Sequence, residues 1–402
     1  KMAALTVQAA RACRQQCGVL GSVYSAQQQH RHGSTVVRGQ TSNLSAYKRG
    51  RGGRSSFSGI VATVFGASGF LGRVLVSKLG KIGSQVICPY RGDPYVMREL
   101  RLAGDLGQIY FLPFQLRDEE SIRACMKHSN VVINLVGRDW ETRNFKFKDV
   151  HVDGARNIAR LARESGIERL IHVSHLSADP SPERILPFMK GGSNFLKSKY
   201  EGEMAVREEF PDATIMRPSD IYGYGDRFIN YYLNPWRRSG SRIPLYNRGE
   251  DTIKMPVDVS DVAQGIVNAI RDPDAEGKVF ECTGPHGYYL SDMVDYMFDV
   301  IRYPNYSRSQ LTPGFLAKVL FMSYAPNYPV LNFEKLEKEF VSDIPQDLPD
   351  LQELGVNPIS FSDRSYGFLR NYIRRRYFEE EVGQFAKPDP LQHIKRSSLD
   401  LS

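Results

Sequence analysis

The sequence predicts an α/β protein, a doubly wound parallel sheet followed by a smaller, irregular α/β C-terminal part, on three observations. Short continuous apolar runs alternate with helical stretches from Ile60 onward, a glycine-spaced turn joins the first run to the first helix, and the alternation fades beyond Pro218. A strand covered on both faces needs apolar side chains on both, so unbroken apolar runs separated by helices read as buried parallel strands with crossover helices.

Strands are read in order at residues 60–65, 85–90, 109–114, 130–136, 169–174 and 214–217, with a glycine turn and a helix running to Gly80 after the first. Residues 59–220 therefore form the expected nucleotide-binding domain. Residues 221–385, rich in Tyr, Pro, Asn and Arg, supply the other side of a cleft, with residues 256–285 returning to the first domain and helices expected at 258–269 and 290–301. Residues 386–402 read as a polar tail.

Charge is distributed unevenly. The formal net charge is +8, yet no Asp or Glu precedes Asp93. Residues 1–43 carry Lys1, Arg11, Arg14, Arg31 and Arg38 among Ala, Ser, Gln and Val, the acid-free composition of a mitochondrial transit peptide; a disordered basic tail is the alternative. Setting aside those five charges lowers +8 to +3, which removes the support for nucleic acid as a partner. Residues 44–58 form a basic leader, too rich in glycine at Gly50, Gly52 and Gly53 for helix or strand, which either meets acidic protein or lipid or is merely solvated. Cys13, Cys17, Cys88, Cys125 and Cys282 have no metal-ligand spacing. No apolar run reaches the ~18 residues of a membrane span, so membrane contact is expected to be peripheral.

The chemistry starts at Gly66-Ala67-Ser68-Gly69-Phe70-Leu71-Gly72, between the first strand and an amphipathic helix. Gly66 permits the tight turn, Gly69 lets backbone approach a pyrophosphate, and Gly72 allows close packing of helix on strand. The helix N-terminus then faces the phosphates. The strand before and the helix after make this a dinucleotide-binding Rossmann turn rather than a plain one. At the end of the second strand stands Pro89-Tyr90-Arg91-Gly92, with no carboxylate for a ribose 2′-hydroxyl. Arg91 would fork onto a 2′-phosphate, which favours NADPH; the alternative is an exposed loop arginine with NADH bound, and FAD is a weaker candidate.

Four further segments carry a family resemblance: Val131-Val132-Ile133-Asn134-Leu135-Val136-Gly137, His151-Val152-Asp153-Gly154-Ala155-Arg156-Asn157, Arg217-Pro218-Ser219-Asp220-Ile221-Tyr222-Gly223, and Pro256-Val257-Asp258-Val259-Ser260-Asp261-Val262-Ala263. With the glycine turn they resemble the extended and atypical short-chain dehydrogenase/reductases over residues 60–285. The resemblance implies that Gly137 lies against the cofactor and that Gln115 and Leu116 sit beside adenine, although the family usually has Asp where this chain has Gln115. Val136, Ser174 and Pro218 join the expected binding set at the strand ends.

These enzymes carry a Tyr-x-x-x-Lys pair on one helix face. The lysine holds the nicotinamide ribose and lowers the tyrosine pKa so that the phenol passes a proton. The matching segment here is Phe195-Leu196-Lys197-Ser198-Lys199-Tyr200, which keeps the lysine as Lys199 and has Phe195 for the tyrosine. Tyr200 is turned about 100° away from that face, and none of the 21 tyrosines has a lysine four residues later. The family's serine falls at Leu176 or Ser177. Losing a placed proton donor costs roughly 10² to 10⁴ in rate, so no catalytic residue is assigned, with His175 the alternative donor.

Leader, nucleotide turn and lost tyrosine together are similar to the short-chain-dehydrogenase-like accessory subunits of mitochondrial respiratory complex I. That resemblance implies tightly held NADPH in a structural role, other complex I subunits as partners on the matrix side of the inner membrane, and peripheral phospholipid contact. The alternatives are a matrix NADPH-dependent reductase or epimerase with an unusual acid, and an NADP(H)-sensing binding protein.

Overall fold

The computed structural model describes residues 48–186, 191–303, 305–324, 331–373 and 388–395. The segment read as a transit peptide, Arg374-Arg375-Arg376 and most of the polar tail lie outside the described residues.

Seven parallel strands form the central sheet: β1 (Val61–Phe65), β2 (Gln85–Tyr90), β3 (Ile109–Pro113), β4 (Val131–Asn134), β5 (Arg169–Val173), β6 (Thr214–Pro218) and, after four short strands elsewhere, β11 (Val279–Cys282). Their order is β11-β6-β5-β4-β1-β2-β3, so the chain winds outward from β1 one way, then from β4 the other. The predicted doubly wound sheet is present, and the six expected strands lie within two residues of their expected ends. The seventh, β11, was not anticipated as a strand.

Strand side chains alternate between two apolar layers. Ala62 and Val64 of β1, Val131 and Ile133 of β4, and Ile171 of β5 join the layer that packs on α1 (Phe70–Lys81). Phe65, Val132 and Leu170 join the opposite layer, against α2 (Glu119–Met126), α3 (Gly154–Glu164) and α4 (Asn194–Glu209). Their burial on both faces is why these strands read as continuous apolar runs. Between β2 and β3 the crossover is a 3₁₀ run, Pro94–Ala103, capped by Asp93 and started by a proline that lacks the amide hydrogen.

Residues 48–58 hold no helix or strand, yet they are tied down. Arg49 and Phe57 exchange both backbone hydrogen bonds at 2.9 Å, and Arg54 donates to the carbonyls of Leu102 and Gly104 and pairs with Asp105. Glycines at positive φ make the turn between them.

Beyond β6 come β7 (Ile221–Tyr222), α5 (Ile229–Leu233), β8 (Arg242–Leu245), β9 (Ile253–Lys254) and β10 (Val257–Asp258), then α6 (Val259–Arg271), which packs beside α1. The rest comprises β12 (His286–Tyr289), α7 (Leu290–Val300), β13 (Ser307–Gln310), α8 (Pro313–Ser323), α9 (Phe333–Phe340), α10 (Phe361–Leu369) and β14 (Ile394–Lys395). An aromatic core of Tyr222, Tyr232, Tyr288, Phe298, Phe315 and Phe361 unites these elements. None of the described helices is long and apolar enough to cross a membrane.

Candidate functional site

A cleft of about 320 Å³ opens at the C-terminal ends of β1, β4, β5 and β6, between the sheet and the segments α5 and α9. This is the crevice where an open α/β sheet reverses its winding.

The glycine turn forms its floor. Gly66 has φ +87°, and a Cβ there would stand 3.1 Å from the Leu135 carbonyl carbon. Gly69 donates to the Gly66 carbonyl at 2.9 Å and precedes α1, which has no acidic residue in its first turn and no side-chain cap. The first amides of the helix are thus left for an anion. Gly72 answers a packing requirement: a Cβ would lie 2.4 Å from the Gly66 carbonyl oxygen and 2.7 Å from Ala67 Cα.

At the end of β4, Asn134 Oδ1 accepts from Val136 N at 3.0 Å and shapes the turn that presents Gly137. Lys199 reaches this turn from α4. Its ammonium donates to the Val173 carbonyl at 3.3 Å, and a Cβ on Gly137 would come within 3.0 Å of it. Lys199 is 8% exposed. Burial pushes its pKa down to about 8, against the opposing pull of Glu203 and with help from Lys338.

One turn earlier, the Phe195 ring is boxed by aromatic neighbours: His151 lies edge-on at 5.4 Å, His175 at 5.9 Å and Phe147 at 6.0 Å. His151 is fixed. Its Nε2 accepts from Arg138 N at 3.2 Å, so Nδ1 carries the proton and donates to Ser198 Oγ at 2.8 Å; Ser198 in turn donates to the Phe195 carbonyl. Burial, then the Lys199 charge, holds His151 neutral, well below the ordinary histidine range. A Cβ on Gly202 would lie 2.2 Å from the His151 carbonyl, and Glu203 forks onto Arg217 at 2.6 to 3.2 Å. These contacts seat α4 so that Phe195 and Lys199 both line the cleft.

The far wall comes from the ends of β5 and β6. Ser174 and His175 are buried, and neither Ser174 Oγ nor His175 Nε2 has a partner among the described residues. Asp220 follows β6 and binds Lys338 of α9 at 2.9 Å and Lys254 at 3.5 Å. Although burial alone would raise it, these two ammonium groups hold the Asp220 carboxyl below the usual carboxylate range. Lys338 also lies over the Phe195 ring, 5.5 Å from its centroid.

Of the sequence-predicted residues, Gly66, Gly69, Phe70, Leu71, Gly72, Gly137, Ser174, Lys199 and Pro218 meet on this cleft. Ala67 is buried beneath it and Ser68 faces a neighbouring groove with Arg73 and Lys78. Arg91, Gln115, Leu116 and Val136 do not line it. Arg91 is exposed beside β2, its guanidinium 5.6 Å from the Phe145 centroid. Leu116 is buried against Gly154, and Gln115 is exposed next to Ser121. Leu176 and Ser177 are also off the cleft: Leu176 is buried and Ser177 Oγ faces Asp343. Tyr200 lines a separate groove with Asp153 and Arg156.

Sequence reasoning missed Lys335, Lys338 and Asp220 as cleft residues, and Arg117, which stacks at 4.6 Å on the same Phe145 ring as Arg91. For Arg117 the clue was its position two residues beyond Gln115; nothing local marks a lysine more than a hundred residues downstream.

Fold and cleft together define a Rossmann-like protein with Phe195 and the buried Lys199 one turn apart on the cleft wall. The pattern of the NAD dependent epimerase/dehydratase family matches residues 62–282. The chain is 48% identical over 342 residues, 84% of its length and 87% of the relative's, to "NADH dehydrogenase (ubiquinone) 1 alpha subcomplex subunit 9, mitochondrial" of Mus musculus. It is 35% identical, over 82% of its length and 84% of the relative's, to "NADH-ubiquinone oxidoreductase 40 kDa subunit, mitochondrial" of Neurospora crassa. The solved structure of MoeE5 in complex with UDP-glucuronic acid and NAD shares the fold, with a TM-score of 0.55 at 16% identity over 76% of this chain and 96% of that one. The chain belongs to the NAD dependent epimerase/dehydratase family and, within it, to the group of mitochondrial subunits represented by these relatives.

Proposed function

We propose that this chain is a non-catalytic, nucleotide-binding accessory subunit of mitochondrial NADH:ubiquinone oxidoreductase that holds NADPH as a structural ligand. The observation that carries the reading is the pairing on α4: a buried ammonium at Lys199 on the cleft wall, donating to the Val173 carbonyl, beside a Phe195 that has no proton to give.

The residues that line the cleft, Gly66, Gly69, Gly72, Gly137, Ser174, Lys199 and Pro218, fit the phosphates and the nicotinamide end of the dinucleotide. The turn from Gly66 to Gly72, with Ala67, Ser68, Phe70 and Leu71, would hold the pyrophosphate on the first amides of α1, and Arg91 with Arg117 would take a 2′-phosphate at the ends of β2 and β3. Gln115 and Leu116 would flank adenine, Val136 and Gly137 the adjoining ribose, and Lys199, Ser174 and Pro218 the nicotinamide end. When bound, the group supplies a hydride equivalent. Phe195 offers no proton to accompany it, and His175, buried and held well below the ordinary histidine range, has only a neutral N–H.

A ligand bound only by the native state stabilises it by about 4 kcal/mol at a thousandfold excess over Kd, which is a role without turnover. The relatives' names support assembly with other complex I subunits, and a peripheral place on the matrix side of the inner membrane, with lipid contact at the basic segments, belongs to the same reading.

The test is native electrophoresis of mitochondria in mild detergent, blotted for this chain beside an in-gel NADH dehydrogenase stain, for the natural chain and for Arg91→Ala. The natural chain co-migrates with the large stained band, and Arg91→Ala lowers both NADPH retention and incorporation. Full incorporation of a chain with an empty site would end the structural reading, and migration as a monomer would end the subunit reading.

A further inference from the structure

We propose that β3, at the end of the sheet, is a docking edge that takes up an extended segment of a partner protein as an additional strand, one whose side chains alternate between apolar and acidic. The strand shares no residue with the cleft, so this inference does not rest on the nucleotide reading.

The first observation is a row of open backbone groups. β3 is last in the sheet order and pairs with β2 alone. Val86 donates to the Gln108 carbonyl at 2.8 Å and Phe114 to the Tyr90 carbonyl at 2.9 Å, so the even-numbered residues from 108 to 114 turn their backbone groups toward β2. Successive residues of a strand point these groups to opposite sides. The amides of Ile109 and Phe111 and the carbonyls of Ile109, Phe111 and Pro113 therefore face outward, and none has a hydrogen-bond partner among the described residues. The leader stops short of this edge. Arg54 donates to the carbonyls of Leu102 and Gly104, Gln108 donates to the Arg54 carbonyl, and no residue of 48–58 bonds Ile109–Pro113. Sheet edges are normally covered or blunted, and the one blunting feature within β3 is Pro113 at its far end. Donors and acceptors in a row are satisfied by another strand, which distinguishes this occupant from a helix or a lipid.

The second observation concerns one face of that edge. Tyr110 is exposed, on the side of the sheet where Leu112 joins the apolar layer, and Leu102 and Leu106 are exposed in the stretch that leads into β3. Residues of an added strand that lie on this face gain cross-strand contact with Tyr110 if they are apolar.

The third observation concerns the other face. Phe111 points to the opposite layer, and the Arg101 guanidinium lies 5.8 Å from its centroid. Arg101 is exposed and, like Arg98, has no carboxylate partner among the described residues. The carboxylates nearby are engaged: Asp105 pairs with Arg54, Glu99 pairs with Arg73, and Asp93 accepts from the Tyr95 amide. Beyond the end of the strand Arg117 pairs with Asp149, while Arg91 stands over the Phe145 ring without a carboxylate. The edge is therefore positive on its Phe111 face, and the alternate positions of an added strand that fall there suit Glu or Asp.

The experiment adds a short peptide of alternating Glu and Val to the full chain and follows amide hydrogen exchange residue by residue. In the free chain Ile109 and Phe111 exchange readily, while Tyr110 and Leu112 are protected. The peptide is expected to slow Ile109 and Phe111 saturably, by at least tenfold. A peptide N-methylated at alternate amides, and one with Lys in place of Glu, should each bind at least tenfold more weakly. Arg101→Glu changes an exposed side chain outside the core, so the fold is kept and binding of the Glu peptide should weaken about fivefold. Exchange at Ile109 and Phe111 that the peptide leaves unchanged overturns the proposal. So does equal protection by the N-methylated peptide, which would mean apolar adsorption, or by anionic phospholipid vesicles, which would make the edge a lipid surface. Protection of both amides in the free chain that grows with protein concentration would make a second copy the occupant and overturn it as well.

Discussion

Lys338 places its ammonium 5.5 Å from the centre of the Phe195 ring while bonding Asp220 at 2.9 Å, so a residue from a late helix covers this face of α4 in the cleft. Lys199, one turn away on α4, lines the same cleft as Phe195 and Lys338. Phe195→Tyr would set a phenol in their field, which lowers its pKa while burial raises it. The expected outcome is NADPH oxidation with phenanthrenequinone as a generic carbonyl probe, at roughly 10² to 10⁴ times the rate of the natural chain. If the variant binds NADPH normally and shows no rate, the missing hydroxyl is not what silences the site.

Lys199 carries a stability penalty. Its pKa falls from 10.5 to about 8, chiefly through burial, which corresponds to about 3 kcal/mol against the charged form. The depressed folded value means that folding disfavours the proton: the penalty is fully present below pH 8 and is relieved as pH rises from 8 to 10.5. Lys199→Met should therefore make the nucleotide-free chain more stable at pH 7 by up to about 3 kcal/mol, with the gap closing above pH 8. The same variant should bind NADPH at least tenfold more weakly. Denaturant melts at pH 7 and pH 10 check the first part, and a natural chain no less stable than the variant at pH 7 would refute it.

Arg91 and Arg117 share the Phe145 ring, at 5.6 and 4.6 Å. Both are exposed, so each 2′-phosphate contact should be modest, about tenfold in affinity. Arg91→Ala is expected to weaken NADPH by that factor and leave NADH unchanged, with Arg91→Ala/Arg117→Ala losing the preference altogether. Equal losses for both nucleotides would show that neither guanidinium reads the 2′ position.

The sheet was legible because burial on both faces writes itself as unbroken apolar runs, and six of the seven strands follow from that alone. β11 escaped because Val279-Phe280-Glu281-Cys282 is broken by a charge: Glu281 is wholly buried, and its carboxylate accepts from the Gln346 amide at 2.7 Å. The glycine turn and the Lys199 position were legible because their chemistry depends on local spacing. Asp220 lay inside a recognised segment, yet its role depends on Lys254 and Lys338, 34 and 118 positions away. Contacts of that range are set by how α9 docks, through Glu334 accepting from Phe195 N at 3.2 Å and Glu337 from Ile185 N at 2.7 Å, and no local pattern encodes them.

The glycine turn allows folding and binding to be separated by two single-methyl changes. At Gly69 the backbone is extended, and an added Cβ meets only the Gly66 carbonyl at 3.1 Å. Gly69→Ala should therefore change stability by no more than about 0.5 kcal/mol, yet its methyl stands where a pyrophosphate must approach, so NADPH affinity should fall at least tenfold. At Gly72 the Cβ would lie 2.4 Å from one backbone atom and 2.7 Å from another, and backbone cannot swing aside as a side chain does. Gly72→Ala should cost about 1–3 kcal/mol in the nucleotide-free chain as well as weakening NADPH, because helix and turn must move apart. Thermal melts and NADPH titrations on the two variants decide the matter. If Gly69→Ala keeps full affinity, the phosphates do not pass over this turn, and the nucleotide site must be sought elsewhere on the fold.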